Sequence, residues 1–190
     1  MNRREAISSV ALLLGGTLLG AEVFLSGCKT SDKNAAAGIN FSKDDIAFLN
    51  EIGETILPAT STPGAKEAKV GEFMIVYVKD CYEQKDQAIF TEGLKKLDDA
   101  CKKKSGKIFM DSSAQQRHDL LVDLDKEAKD YQKAKKDTDP THYFRMLKEL
   151  TLMGFFTSEV GATKALRYVA VPGKYEGCIP YKKGDKAWAT

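Results

Sequence analysis

The chain has 190 residues, with 29 Lys and Arg against 27 Asp and Glu, so its net charge is +2. This length supports one domain with a substantial core and is too short for two large domains. The balance of charge argues against a nucleic-acid binder, and a hydrophobic fraction of 43% argues against a mostly disordered chain.

The first 27 residues have the organisation of an export signal. Arg3 and Arg4 form a basic start, and residues 10–21 are an apolar run that suits a signal peptide and is too short to span a bilayer. The arginine pair resembles a twin-arginine signal, which exports folded proteins, although an ordinary secretory signal would also fit. We therefore predict a cleaved signal peptide over residues 1–27.

Leu-Ser-Gly-Cys at residues 25–28 resembles a lipobox, a cleavage site that precedes a lipid-carrying cysteine. Its position after the apolar run favours lipidation of Cys28 over a chance occurrence. Residues 28–41 are mostly small and polar and predict a flexible tether, and the two or three acyl chains of a bacterial lipoprotein give stable anchoring. The domain over residues 42–190 is therefore expected at the cell envelope, on the periplasmic face or at the outer membrane.

Apolar residues at helical spacing predict five α-helices in one compact all-α domain. Ser42 is the predicted N-cap of the first helix, with Asp45 completing a capping box, and Pro58 ends it. The fifth helix has the widest apolar face, nearly free of charge between Leu150 and Phe156, and is the predicted central core helix. The five helices are predicted over about residues 42–57, 67–82, 86–104, 113–136 and 139–166.

The helical spacing also predicts which face of each helix is buried. The predicted core of the first four helices is formed by Ile46, Leu49, Ile52, Ile56, Val70, Phe73, Met74, Tyr77, Phe90, Leu94, Leu97, Cys101, Leu120, Leu121, Leu124 and Ala128. In the fifth helix it is formed by Phe144, Leu147, Leu150, Thr151, Gly154 and Phe155.

Residues 168–190 lack a helical period and are predicted to be an extended arm lying on a surface. The arm carries Tyr168, Tyr175, Tyr181 and the single tryptophan, Trp188, and such residues are enriched as anchors of protein interfaces. Two interpretations are open. The arm is either the interface for a partner, or it packs on its own helices and completes the core.

No motif for a cofactor or a metal is recognised in the sequence. It contains no Gly-rich phosphate loop, no Cys-x-x-Cys and no Cys-x-x-Cys-His, so no nucleotide, redox pair or attached haem is indicated. His118 and His142 are interpreted as surface histidines. Asp123, Asp125 and Glu127 are interpreted as a solvated helix face rather than an acid/base pair.

Three cysteines remain after Cys28, an odd number that allows one disulfide and one free thiol in an exported protein. If the second and third helices form a hairpin, Cys81 and Cys101 are roughly 20 Å apart, too far for a bridge. Cys178 on the arm is then a candidate to pair with Cys81 or Cys101. Three free thiols are the alternative.

Six stretches of the chain resemble the gluconate 2-dehydrogenase subunit 3 family, and the C-terminal ones are the more specific. They are residues 56–58 (ILP), 63–65 (PGA), 70–73 (VGEF), 143–161 (YFRMLKELTLMGFFTSEVG), 171–178 (VPGKYEGC) and 187–188 (AW). The resemblance implies an all-α small subunit of a membrane-bound dehydrogenase of sugars or sugar acids. It also implies a partner flavoprotein of the glucose-methanol-choline oxidoreductase type, which carries FAD, often with a c-type cytochrome.

In this family the small subunit is expected to lend its twin-arginine signal to the partner, which agrees with the signal and the missing cofactor motifs. The lipobox departs from the family, because a lipid-anchored chain would not need a membrane cytochrome for attachment. We therefore interpret the chain as a non-catalytic accessory subunit that escorts, stabilises and tethers a flavin-dependent dehydrogenase. The alternative is an independent envelope lipoprotein, a scaffold or a ligand-binding module with a site at Asp123, His118 or a cysteine.

Overall fold

Five α-helices make up most of the chain that the structure describes. They are α1 (Lys43–Ile56), α2 (Val70–Cys81), α3 (Gln84–Ser105), α4 (Ala114–Ala134) and α5 (Tyr143–Thr157), with a 3-10 turn (Phe109–Asp111) and a π-helical turn (Gly161–Ala165). The computed structural model describes residues 39–171 and 173–189, and among these no strand occurs beyond one isolated bridge. The predicted all-α fold with five helices is confirmed. The predicted signal peptide lies outside the described residues.

The start of α1 follows the predicted capping box. The Asp45 amide donates to Ser42 Oγ at 3.1 Å, and the Ser42 amide donates to Asp45 Oδ2 at 2.8 Å. These reciprocal bonds satisfy amides that the first turn of a helix leaves without partners. The helix ends at Ile56, two residues before Pro58, as the sequence predicts.

The second helix begins three residues later than predicted, because its start is set by α1 rather than by a local cap. Lys69 adopts a left-handed conformation with φ of 53° and provides no side-chain cap. The free amide of Gly71 instead donates to Asn50 Oδ1 of α1 at 2.9 Å. The two helices approach so closely that a Cβ on Gly71 would lie 2.7 Å from the Ile46 carbonyl oxygen.

The predicted buried faces of α3 and α4 are confirmed in full, and those of α1 and α2 are confirmed in part. On α1, Ile46 and Ile56 lie at the edge of the core. On α2 the buried face is rotated, since Ile75 and Val78 are buried while Phe73 and Tyr77 lie at the edge. The rotation follows from the close crossing at Gly71, which fixes the side that α2 turns towards α1.

The fifth helix is the centre of the core, as predicted, and it contacts each of the other four helices. Its predicted face is confirmed and is wider than expected, because Tyr143 and Met146 are buried as well. The α3 backbone passes over Tyr143 at Gly93, where a Cβ would lie 2.6 Å from Tyr143 Cγ.

Both predicted ends of the fifth helix are wrong. It begins at Tyr143 with His142 as N-cap, rather than at residues 139–141, because Nδ1 of His142 accepts the Phe144 amide at 3.3 Å. It ends at Thr157 rather than near residue 166. A π-helical turn follows, and a Cβ on Gly161 would overlap the carbonyl group of Phe155, so the chain reverses tightly there.

An ion-pair network joins α1 to the segments on either side of it. Glu51 receives bonds from Arg117 of α4 and from Lys66, and the Arg117 guanidinium also donates to the carbonyl oxygens of Phe109 at 2.9 Å and Met110 at 2.7 Å. Burial alone would raise the pKa of Glu51. The hydrogen bond from Lys66 and the charge of Arg117 outweigh that effect, and the pKa lies below its ordinary value of 4.5.

This lowered pKa predicts that Glu51 stabilises the fold most strongly near neutral pH. A carboxyl whose pKa is lower in the folded state contributes stability above its unfolded pKa and loses it as the pH falls through the folded value. We therefore expect the free energy of unfolding to decrease below about pH 4.5 and the Glu51→Gln variant to show a shallower decrease there. Urea unfolding at several pH values measures this. The prediction would be contradicted if the free energy of unfolding of the two proteins decreased equally steeply at acidic pH.

Candidate interaction surface

Two of the three carboxylates singled out in the sequence, Asp123 and Asp125, are paired with lysines on the helix surface. Asp125 lies between Lys129 and Lys148 at 2.7 and 2.6 Å, and hydrogen bonds from these two lysines lower its pKa. Asp123 pairs with Lys104. The interpretation as a solvated helix face is confirmed for Asp123, whereas Asp125 is half-buried between its two lysines.

Of the two histidines, only His118 is a surface residue as predicted, and the prediction is wrong for His142. The side chain of His142 is 10% exposed because it caps α5 and stacks on the ring of Tyr143 at 4.7 Å. Its Nε2 lies 3.5 Å from Glu127 Oε1, a proximity that the sequence analysis missed. Burial raises the pKa of Tyr143 to about 12, so this phenol is neutral. The cluster of His142, Tyr143 and Glu127 therefore has the character of a helix cap.

The three cysteines that the structure describes are free thiols. Cys101 is buried, and its Sγ lies 3.2 Å from Ser112 Oγ, whereas Cys81 and Cys178 are exposed. Of the two partners proposed for Cys178, the exposed Cys81 is the accessible one. A disulfide of Cys178 with Cys81 or Cys101 stays a prediction.

The arm is exposed over its described residues up to Trp188. Every described residue over 168–188 is exposed, and none of the buried core residues comes from this segment. The predicted arm without helical structure is confirmed for the described residues, and the alternative in which it completes the core is wrong for them. The side chains of Tyr175 and Tyr181 are 95% and 76% exposed, and those of Tyr168 and Trp188 are about half exposed.

A clasp at the base of the arm turns it into a closed loop. The Arg167 amide donates to the Ala187 carbonyl oxygen at 2.8 Å, and the Ala189 amide donates to the Arg167 carbonyl oxygen at 3.0 Å. The Arg167 guanidinium stacks over the Trp188 ring, 4.2 Å from its centroid. Such a cation–π contact is worth about 0.5–2 kcal/mol, so the two ends of the loop are held together.

The closed loop encloses a hollow of about 540 Å³ that is open to solvent. Its apolar lining comes from Val169, Tyr175, Ile179 and Trp188. All four of these side chains are exposed aromatic or branched residues. The arm therefore presents a concave apolar surface rather than a flat one.

A second apolar surface lies on the outer face of α5. Leu152, Met153 and Phe156 are each about 40% exposed and lie on one side of the helix. The core face predicted for this helix does not include these three residues, and no surface role was predicted for them. Their spacing relative to the buried Leu147, Leu150 and Thr151 places them on the opposite face of the helix. This spacing is the sequence signal from which their exposure could have been predicted.

Arg3, Arg4 and Cys28, the predicted export and lipidation residues, lie outside the described residues. Within residues 39–171 and 173–189, no helix is both long enough and apolar enough to cross a membrane.

Comparison with known proteins identifies one family. The family model described as "Gluconate 2-dehydrogenase subunit 3" matches residues 43–173. The matched range contains all five helices and Tyr168, and it ends before Tyr175, Tyr181 and Trp188. No curated protein and no solved structure matches the chain.

Proposed function

Because this chain belongs to the gluconate 2-dehydrogenase subunit 3 family, we propose that it is a non-catalytic accessory subunit of a flavin-dependent sugar or sugar-acid dehydrogenase. The family name describes one subunit of a gluconate 2-dehydrogenase and therefore implies a dehydrogenase partner. In this proposal the partner is a flavoprotein of the glucose-methanol-choline type. It carries the FAD and the substrate site, and a c-type cytochrome takes the electrons in complexes that contain one.

The observation that carries this proposal is the placement of exposed apolar side chains. The helical body buries its own core, yet Leu152, Met153 and Phe156 are exposed on α5, and the aromatic side chains of the arm are exposed beside a hollow. Grouped exposed apolar residues mark interaction surfaces, and tyrosine and tryptophan are preferred anchors. The face of α5 lies within the range shared with the family, which supports it as a surface for the dehydrogenase subunit.

The proposed role includes export and attachment. Arg3 and Arg4 would send the folded complex across the membrane by the twin-arginine route, and lipid on Cys28 would then hold it at the envelope. A partner that lacks its own signal would depend on this chain for export. Binding to the exposed surfaces would also stabilise the partner, because a ligand that binds only the folded state shifts the folding equilibrium.

Replacing Arg3 and Arg4 with lysine is expected to retain both this chain and its flavoprotein partner in the cytoplasm. The change conserves charge but removes the arginine pair that defines the signal. Cells are fractionated, the chain is captured through a C-terminal tag in mild detergent, and its absorbance spectrum and co-purifying chains are recorded. The Cys28→Ser variant should instead export a complex that no longer sediments with membranes.

Arg145→Lys is the matched control, since it makes the same exchange at an exposed position of the folded domain. It should leave export and the flavin spectrum of the captured complex unchanged. Normal export of the partner in the Arg3→Lys/Arg4→Lys variant would sink the escort role. A colourless chain captured alone from the wild type would reject the accessory role.

That last outcome would favour the alternative, an independent lipoprotein that binds a ligand or acts as a scaffold. One observation supports the version of this alternative in which the chain binds a ligand. A groove of about 460 Å³ lies between the start of α1 and α3 and is lined by Phe48, Leu94, Ile108 and Met110, with aspartates and lysines at its rim. The groove is not lined by the residues that the sequence suggested for a ligand site, which are His118, Asp123 and the cysteines.

A further inference from the structure

The arm has an excess of positive charge that the described part of the chain does not neutralise. Its basic residues are Lys174, Lys182, Lys183 and Lys186, with Arg167 directly before it, and its acidic residues are Glu176 and Asp185. Only Lys174 forms an ion pair with a carboxylate of the described residues, with Glu176 at 2.7 Å. On the helices, by contrast, lysines such as Lys102, Lys129 and Lys148 are paired with aspartates.

The second carboxylate of the arm is used within its own backbone. Asp185 Oδ2 accepts the Lys182 amide at 2.9 Å and closes the turn that contains Gly184, which has a φ of 98°. Lys182 and Lys183 are exposed on this turn. Their charges therefore have no carboxylate partner among the described residues, and an anionic surface is what would complement them.

The remaining cations are held in place near Trp188, outside the lining of the hollow. Arg167 lies on the Trp188 ring and donates to the Lys186 carbonyl oxygen at 3.2 Å, while Lys186 Nζ donates to the Lys164 carbonyl oxygen. Both side chains are fixed without a counter-ion. The hollow itself has an apolar lining, and the paired Lys174 and Glu176 are the charged residues in its wall. The cations without a carboxylate partner lie outside it, so a segment that binds here would place an apolar side chain in the hollow and acidic groups beside it.

We propose that the arm binds an acidic segment of the dehydrogenase subunit that inserts an apolar side chain into the hollow between Tyr175 and Trp188. This inference rests on the proposed function. The concave shape favours a protein over a lipid surface, because a hollow of about 540 Å³ fits inserted side chains. The clasp of Arg167 and Trp188 holds the hollow open before binding, which reduces the entropy lost on association.

The test is charge reversal on the arm of the native complex. Lys182→Glu/Lys183→Glu should weaken retention of the flavoprotein subunit by about tenfold or more and make it dissociate at lower salt. Tyr175→Ser, which removes one wall of the hollow, should weaken retention without changing the salt dependence. The matched control is Lys103→Glu/Lys107→Glu, which makes the same charge change at exposed positions in the last turn of α3 and just after it and should not alter retention.

The outcomes separate this inference from the proposed function. If the wild-type chain captures a flavoprotein and the arm variants capture it equally well, the inference is wrong while the accessory role stands. If the wild type captures none, the accessory role itself fails. The Cys28→Ser chain is also sedimented with phosphatidylglycerol and phosphatidylcholine vesicles. Stronger binding to the anionic vesicles that is lost in Lys182→Glu/Lys183→Glu would assign the arm to the lipid surface and overturn the proposal.

Discussion

Gly93→Ala is expected to lower the free energy of unfolding by about 2 kcal/mol, although alanine is the better helix former. On an exposed helix the exchange would stabilise by about 1 kcal/mol. At this position a Cβ would lie 2.6 Å from Cγ and Cδ2 of Tyr143, close to the backbone of α5, where the ring cannot rotate away. Overpacking of this kind costs up to about 3 kcal/mol, so the clash outweighs the gain in helix propensity.

Urea unfolding followed by far-UV circular dichroism measures the change. Gly173→Ala is the matched control, because no heavy atom lies within 4 Å of the position that its Cβ would occupy, and its stability should stay within about 0.5 kcal/mol of wild type. A Gly93→Ala protein as stable as wild type would mean that α3 and α5 do not cross at this distance.

Arg117→Ala is expected to lower the free energy of unfolding by about 2–3 kcal/mol. The side chains of Arg117 and Glu51 are only 15% and 19% exposed. Removing the guanidinium leaves Glu51 without its partner from α4. It also leaves the carbonyl oxygens of Phe109 and Met110 without a donor. The 3-10 turn between α3 and α4 should loosen as a result.

A double-mutant cycle with Glu51→Gln separates the two contributions. If the ion pair dominates, Arg117→Ala should cost much less in the Glu51→Gln background than in the wild type. If the carbonyl contacts dominate, the cost should be similar in both backgrounds. A cost below about 0.5 kcal/mol in the wild type, typical of an exposed surface pair, would contradict the buried network.

The helices that the sequence predicted best are those whose signals are local. The faces of α3 and α4 follow from a regular apolar stripe, and Ser42 and Ser113 cap α1 and α4 with residues three positions away. The errors occur where the start or end of a helix is set by a residue that is distant in the sequence. Asn50 sets the start of α2, and no local pattern reveals an acceptor on another helix.

The fifth helix shows the same limit at both ends. Pro140 suits a first turn, yet the chain becomes helical only after His142, because an imidazole nitrogen takes the place of a conventional cap. Beyond Thr157, residues of good helix propensity continue, and the close approach of Gly161 to Phe155 ends the regular helix. Tertiary contacts overrode propensity in both places.

The sequence predicted which residues form the candidate interface on the arm, but it did not predict the three-dimensional shape of that interface. The aromatic residues of the arm marked it as unusual, and their exposure agrees with an interaction surface. The contact between Arg167 and Trp188 could not be predicted from the sequence. The twenty residues between them form an irregular segment, and such a segment has no periodicity that indicates which residues are in contact. The exposed face of α5 was not predicted as an interaction surface, because a folded surface ordinarily carries much apolar area and such residues alone do not indicate a partner.

The clasp at the base of the arm has a consequence for how such chains diverge. Because residues 167 and 187–189 meet in space, the intervening loop can change length without disturbing the helices, and doubling a flexible loop costs only about 0.6 kcal/mol in closure entropy. Selection can therefore alter the loop while the helical scaffold is inherited unchanged. Relatives should vary most in length and sequence between these two fixed points, and transplanting the loop between relatives should transfer partner choice with it.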